Sequence, residues 1–253
     1  MHSLYAGITN ETEKIFLKKK TIFFLAVIFL LTAGTGILLA YFQNKTGIFA
    51  VTSANFPIMI LGILTNLFLP LFIFSIVGDV FAGEIGEKTI KLSLTRPISR
   101  FRIFLAKTLA VGIFTTITLA VLFLITILAG LFLDQGANLL PSILQIATAY
   151  LVAVIPMLTL IIIAAFIAQF CKSSSSALTA GILIYLAVKL LPFIPFVNAK
   201  VLRIIPFTYT DWHTLWLGNS LVPGNLLTIF LLLVAYGIIF FTGGYYLFDK
   251  KDF

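Results

Sequence analysis

The stretch Ile143 to Phe170, ILQIATAYLVAVIPMLTLIIIAAFIAQF, is 28 residues long and contains no Asp, Glu, Lys, Arg or His. A helix that crosses the roughly 30 Å hydrocarbon core of a bilayer needs about 20 mostly apolar residues. A helix that faced water along one side would carry polar or charged residues on that side. The stretch therefore predicts a helix that spans a membrane.

Five further segments have the same apolar character. They are Thr21 to Tyr41, Phe56 to Val77, Thr108 to Leu133, Ala177 to Phe196 and Asn225 to Phe248. Of the six, only 177–196 contains a charged residue, Lys189. The whole chain of 253 residues is 60% apolar and 10% charged, whereas soluble domains are about 45–50% apolar and 25% charged. Since no ten-residue alternating strand pattern recurs, the sequence predicts an all-α integral membrane protein with six transmembrane helices.

The basic residues predict the orientation of these spans, because Lys and Arg are enriched in cytoplasmic loops. One side of the predicted spans carries thirteen of them, and the other side carries Lys45, Lys200 and Arg203. The thirteen are Lys14, Lys18, Lys19, Lys20, Lys88, Lys91, Arg96, Arg100, Arg102, Lys107, Lys172, Lys250 and Lys251. We therefore expect both termini in the cytoplasm. The net charge of +8 does not indicate a nucleic-acid partner, because that would require a basic patch on a folded soluble surface.

Two segments outside the spans have patterns of their own. In residues 1–20, Leu4, Ile8 and Ile15 share one helical face, and Glu11 intrudes at the edge of that face. This pattern predicts an amphipathic helix in the inner leaflet, with a frayed tail as the alternative. Residues 197–224 are rich in aromatic residues and proline, which predicts a partly re-entrant outer cap before the sixth span.

The predicted cytoplasmic loop, residues 78–107, reads as two short helices. The first contains two Glu-before-Lys pairs at i,i+4 spacing, which stabilise a helix; they are Glu84–Lys88 and Glu87–Lys91. Pro97 ends this piece, and Ser99 is placed to cap a second helix that continues into the third span. A merely solvated connector is the alternative. The loop is too short to fold as an enzyme domain.

Catalytic and binding motifs are sparse. Residues 82–89 end in Lys-Thr like a phosphate-binding loop, but they lack the required glycines and carry two carboxylates. The chain has two histidines and one cysteine, which predicts no metal site and no catalytic site. Asn66 and Lys189 are the candidates for a substrate path, because polar groups within spans are often functional. Their alternatives are an interhelical hydrogen bond for Asn66 and snorkelling to the headgroups for Lys189.

The loop between the second and third predicted spans resembles that of ABC type-2 transporter permeases. The resemblance rests on Asp79-Val-Phe-Ala-Gly-Glu84, Lys88-Thr89-Ile90-Lys91-Leu92, Leu94-Thr95-Arg96-Pro97-Ile98-Ser99-Arg100 and Ala106-Lys107. Such permeases commonly show an Asp, a nearby Glu, a Gly-Thr-x-x-x-Leu run, then Arg-Pro-Ile-Ser-Arg and Gly-Lys. Lys88 and Ala106 stand where glycine is usual. The bacterial permeases that the chain resembles are grouped with multi-copper-enzyme maturation and with antimicrobial-peptide export or immunity.

This resemblance implies the permease subunit of an exporter in the bacterial cytoplasmic membrane, not an enzyme. The domain would be the six-span permease of residues 21–253, paired with a second copy or a paralogue. ATP and Mg would be held by a separate ABC ATPase subunit, and this chain would bind no cofactor. The loop would contain a coupling helix that docks on the ATPase. The residues implied in coupling are Glu84, Glu87, Lys88, Thr89, Lys91, Arg96, Pro97, Ser99 and Arg100.

Two other functions are compatible with the sequence. One is an ATP-independent carrier, which the lack of carboxylates within the spans disfavours. The other is a membrane immunity or sensory protein that binds a peptide without pumping it. Co-purification with an ATPase distinguishes the exporter from both.

Overall fold

A computed structural model describes residues 2–46, 51–86, 99–133, 139–194, 198–217 and 223–251. Within these ranges the chain is helical and contains no strand. Six helical segments are long and apolar enough to cross a membrane. The prediction of an all-α protein with six spans is therefore confirmed.

The first helix, α1, is His2–Leu17, and the six spans follow it. They are span 1, Lys19–Gln43; span 2, Asn55–Gly83; span 3, Arg100–Gly130; span 4, Leu139–Ala168; span 5, Ser174–Phe193; and span 6, Gly224–Asp249. Between spans 5 and 6, the cap segment (residues 198–217) contains three short helices. These are Ala199–Leu202, Pro206–Tyr209 and Trp212–Trp216. Spans 2 and 3 extend further than predicted, so they include Asp79 and Lys107.

Span 2 is the most buried span, and span 6 is the least buried. Span 2 also departs twice from α-helical geometry. It runs as an α-helix over Asn55–Ile63, a π-helical turn over Leu64–Phe68, an α-helix over Leu69–Val77 and a second π-helical turn over Gly78–Gly83. Such turns inside helices are rare and are frequently found at functional sites.

A proline lies just after the first π-helical turn. Pro70 has no N–H, so it cannot donate to the carbonyl of Asn66 four residues earlier. The hydroxyl of Tyr185 in span 5 donates to that carbonyl at 2.7 Å. A neighbouring span thus satisfies the group that the proline leaves unpaired, as is usual for prolines in membrane helices.

Close packing of span 5 on span 2 depends on a glycine. A Cβ atom at Gly181 would lie 2.3 Å from the ring of Phe74, and Phe74 is itself buried. Any larger residue would have to move a ring that is held in the core. Gly181 therefore sets the distance between these two spans.

Helix α1 packs against the start of span 3. Ile15 is buried, the rings of Phe16 and Phe114 lie 4.9 Å apart, and a Cβ atom at Gly7 would lie 3.5 Å from Ala106. The apolar face that the sequence predicts is thus covered largely by protein. A helix is therefore present over His2–Leu17 and is held by protein contacts, while its location in the inner leaflet stays a prediction.

The helix that leads into span 3 begins directly after Ser99, as the sequence predicts, although the span itself was predicted to begin only at Thr108. The backbone at Ser99 is extended, as expected of an N-cap residue, and its carbonyl accepts from the N–H of Ile103 at 3.2 Å. The Ser99 side chain makes no capping hydrogen bond, so the prediction of a side-chain cap was wrong. Ser99 is exposed, where water can satisfy both the hydroxyl and the free backbone donors.

Candidate functional site: two polar clusters on span 2

A buried lysine is at the centre of the first cluster. Lys107 is 1% exposed. Its Nζ donates to Glu84 Oε2 at 2.7 Å, to Glu11 Oε2 at 3.1 Å and to the carbonyl of Val80 at 3.2 Å. An ammonium group has three protons, and each of them has an acceptor here. We call Glu11, Lys14, Glu84 and Lys107 the ion-pair cluster.

The cluster joins three separate elements. Glu11 comes from α1, Glu84 directly follows the second π-helical turn of span 2, and Lys107 lies two turns inside span 3. Lys14 completes the charge balance, with its Nζ 2.9 Å from Glu11 Oε1 and 3.7 Å from Glu84 Oε1. Among the described residues, two cations therefore offset the charge of two carboxylates, which favours burial of the group.

The pKa of Glu11 shows that its attraction to the two lysines outweighs the cost of burying its charge. Burial raises the pKa of this carboxyl group, but the positive charges of Lys107 and Lys14 more than offset burial and hold the pKa below its usual value. Glu11 is therefore ionised at neutral pH. The interaction of Glu11 with Lys107 is a charged one, and it holds α1 to span 3.

A more exposed group of charges surrounds this cluster. Asp79, in the second π-helical turn, lies 3.2 Å from Lys20 Nζ and 3.6 Å from Lys18 Nζ. Both lysines are about half exposed, so these pairs contribute little to stability. They nevertheless place the start of span 1 beside the end of span 2. We refer to this end of the helical bundle as the basic end.

The second cluster lies at the first π-helical turn of span 2. Lys189 Nζ donates to Asn66 Oδ1 at 2.8 Å and to Thr210 Oγ1 at 2.7 Å. The hydroxyl of Thr210 in turn donates to Asn66 Oδ1 at 2.8 Å. Asn66 thus accepts from span 5 and from the cap segment at the same atom. We call Asn66, Tyr185, Lys189 and Thr210 the amide cluster.

A buried histidine lies close to the amide cluster. His213 is 0% exposed, and neither of its ring nitrogens has a hydrogen-bond partner in the described part of the chain. Its Nε2 lies against Gly62, since a Cβ atom there would be 4.0 Å away, and Gly62 is one turn before Asn66. Burial lowers the pKa of His213 to about 4, although the negative charge of Asp211 opposes this shift. His213 is therefore neutral at pH 7.

The two candidate substrate-path residues come together in the structure. The interhelical hydrogen bond predicted for Asn66 is present, with Lys189 as its donor. The Lys189 ammonium is held by two protein oxygens, in contrast to the headgroup contact that snorkelling predicts. A role for Asn66 and Lys189 in a substrate path stays a prediction.

Three of the nine predicted coupling residues lie in the described part of the chain. Glu84 belongs to the ion-pair cluster and Ser99 begins span 3. The guanidinium of Arg100 donates to the backbone carbonyls of Asp249 and, at 3.1 Å, of Lys251, which ties span 3 to the end of span 6. Six lie outside the described residues, together with the predicted hinge and both Glu–Lys pairs: Glu87, Lys88, Thr89, Lys91, Arg96 and Pro97.

Sequence reasoning missed several members of the two clusters. Lys107 was noted as a charge flanking a span and as part of the Ala106-Lys107 match, but not as a buried partner of Glu11, and Tyr185 and Thr210 were not singled out. Glu11 could have been recognised, because a carboxylate at the apolar face of a helix requires a buried partner.

Among the described residues, no group of three or more His, Cys, Asp or Glu could hold a metal ion.

The fold and the two clusters define a helical, multi-pass membrane protein whose spans are joined by buried polar contacts. Residues 22–253 match the profile of a family described as proteins of unknown function, DUF2705. The chain belongs to this family. It is also similar to the uncharacterized protein YhcI of Bacillus subtilis strain 168, with 30% identity over 223 residues that cover 81% of this chain and 68% of YhcI.

Proposed function

We propose that this chain is the membrane-spanning permease subunit of an ATP-binding-cassette exporter, which moves substrate with ATP hydrolysed by a separate ATPase subunit. The observation that carries the proposal is the ion-pair cluster. It fastens the first residues of the loop between spans 2 and 3 to α1 and to span 3. A loop fixed in this way can transmit a displacement into the spans, whereas a solvated connector cannot.

The same proposal includes the orientation of the chain in the membrane and its partner subunits. The basic end faces the cytoplasm of a bacterium, α1 lies at the inner membrane interface, and the cap segment forms a partly re-entrant outer cap. The loop helix docks on the ATPase, where ATP and Mg are bound, and a second copy or a paralogue completes the membrane part. The positive charges at the basic end support this orientation.

The ion-pair cluster suggests how force reaches the spans. A push on the loop acts on Glu84, whose carboxylate is 2.7 Å from Lys107 Nζ. Because Lys107 also binds Glu11, α1 and span 3 move together with the end of span 2. Buried, saturated ion pairs resist separation, so the three elements behave as one unit during the transport cycle.

Charge reversal in the loop tests this proposal. Glu84 is a poor probe, because its carboxylate is already paired within the chain. We expect Glu87→Lys to reduce the amount of ATPase that co-purifies with the tagged chain by at least about tenfold, since like charges facing each other across an interface cost several kcal/mol. The measurement is affinity purification in mild detergent, with mass spectrometry and vanadate-sensitive ATP hydrolysis as readouts.

Glu13→Lys is the matched control, because Glu13 is an exposed carboxylate of α1 outside the loop. This variant should retain the ATPase at wild-type levels. If the wild-type chain purifies with no ATPase, the proposal is wrong and an immunity or sensory role is favoured. Transport in liposomes without any ATPase would instead establish a carrier.

The proposed orientation has its own test. In a chain from which Cys171 has been removed, single cysteines at positions 90 and 252 should react with membrane-impermeant maleimide only from the cytoplasm. A cysteine at position 200 should react only from outside. This result is expected from the distribution of Lys and Arg. External labelling at position 90 in intact cells would contradict the orientation.

A further inference from the structure

A cavity lies between the cap segment and the first turns of span 6. Its volume is about 410 Å3, within the range typical of small-molecule sites. Arg203 and Tyr209 line it from the cap segment, and Leu226, Ile229 and Leu232 line it from span 6. The cavity is separate from both polar clusters on span 2.

The polar end of the cavity is a cationic site. The guanidinium of Arg203 has no acidic partner within 4.0 Å in the described part of the chain, and no carboxylate lines the cavity. The hydroxyl of Tyr209 donates to the backbone carbonyl of Arg203 at 2.6 Å. Burial raises the pKa of Tyr209, and the positive charge of Arg203 opposes this shift, so the guanidinium lies near the phenol. This end of the cavity therefore favours an anionic ligand.

The other end of the cavity is apolar and continues into the outer surface of span 6. Leu226, Ile229 and Leu232 lie on successive turns of that helix, and the neighbouring Leu227 and Leu231 are largely exposed. Span 6 is the least buried of the six spans within the single chain, so this chain leaves the surface open to acyl chains of the membrane. A free phosphate ion would leave this wall without a partner, whereas an acyl chain would cover it.

We propose that this cavity binds an anionic phospholipid, with the phosphate on Arg203 and an acyl chain along Leu226, Ile229 and Leu232. One guanidinium without an acidic partner among the described residues matches a headgroup with one net negative charge. Arg is well suited to phosphate because its planar group can donate two parallel hydrogen bonds. The site does not depend on the export function, since neither the ion-pair cluster nor the loop contributes to it.

Native mass spectrometry of the purified full chain tests this site. After delipidation, the protein is mixed with phosphatidylglycerol or with phosphatidylcholine of the same acyl chains, and the lipid retained is counted. We expect the wild-type chain to retain one phosphatidylglycerol in preference to phosphatidylcholine. Arg203→Gln should weaken this retention by about fivefold, the effect of one Arg on an anionic lipid. Arg203→Lys, which keeps the charge, should preserve most of the preference.

Lys200→Gln is the matched control, because Lys200 is an exposed cation of the same segment that does not line the cavity. This variant should retain phosphatidylglycerol as the wild type does. Equal retention by Arg203→Gln and the wild type would overturn the proposal, and so would equal losses in both Gln variants. A thermal shift with glycerol 3-phosphate as large as that with phosphatidylglycerol would also overturn it, because the site would then take a soluble anion.

Discussion

Lys107→Met is expected to lower the stability of the folded chain by about 3–5 kcal/mol, the usual result of removing one partner from a buried ion pair. Without this ammonium, the carboxylates of Glu11 and Glu84 would lose the buried cation that they share, and their contacts with Lys14 would compensate only in part. Lys14 is about half exposed, and its Nζ is 3.7 Å from Glu84. The carbonyl of Val80 would also lose its donor. The measurement is thermal unfolding in detergent, followed by tryptophan fluorescence and gel filtration.

Two further variants separate the ion pairs from the packing of the Lys107 stem. Adding Glu11→Gln and Glu84→Gln to Lys107→Met removes the uncompensated charges, so most of the lost stability should return. Lys172→Met deletes an exposed lysine from the turn between spans 4 and 5 and should change stability by less than about 0.5 kcal/mol. A Lys107→Met variant as stable as the wild type would show that the cluster does not hold these elements together.

The ion-pair cluster also shows how far the sequence could predict this site. The amphipathic pattern of α1 was visible in the sequence, and Glu11 was the charged residue that interrupted its apolar face. Such a break in an otherwise consistent pattern often marks a functional or strained position. The partner of Glu11 could not be read, because the apolar run begins at Thr108 and Lys107 looked like a flanking charge. The helix predicted to run from Ser99 into the third span already includes Lys107, but nothing in the sequence pairs this lysine with Glu11, which lies 96 residues earlier.

The amide cluster was predictable residue by residue but not as a cluster. Asn66 and Lys189 each stood out as a polar group in an apolar span. They are 123 residues apart, and no local periodicity connects positions at that separation. The π-helical turn at Asn66 was also not predicted, and the hydroxyl that satisfies the Asn66 carbonyl comes from Tyr185 in another span. Tertiary packing therefore determines this site, while hydropathy determines only the spans that carry it.

Acidification from pH 7 to pH 5 is expected to destabilise the chain by about 2 kcal/mol through His213 alone. The pKa of this imidazole is about 4 in the folded chain, against 6.5 in the unfolded chain. Between these values the unfolded state binds a proton that the folded state does not, so stability is greatest above about pH 6.5 and falls as the pH drops towards 4. Glu11, whose pKa is depressed below 4.5, acts in the same direction but only at lower pH. Melting curves measured in detergent at pH 7, 6 and 5 therefore report mainly the effect of His213 protonation on stability.

His213→Leu should flatten this pH dependence and leave stability at pH 7 nearly unchanged. The imidazole nitrogens have no partner among the described residues, and replacing an unpaired buried polar group by an apolar one is often neutral or stabilising. His2→Leu removes the only other histidine of the chain and should leave the pH dependence as it is in the wild type. If His213→Leu lost as much stability as the wild type between pH 7 and pH 5, the proton would be taken up elsewhere. The ring of His213 would then not be held in the neutral, desolvated state that its burial against span 2 requires.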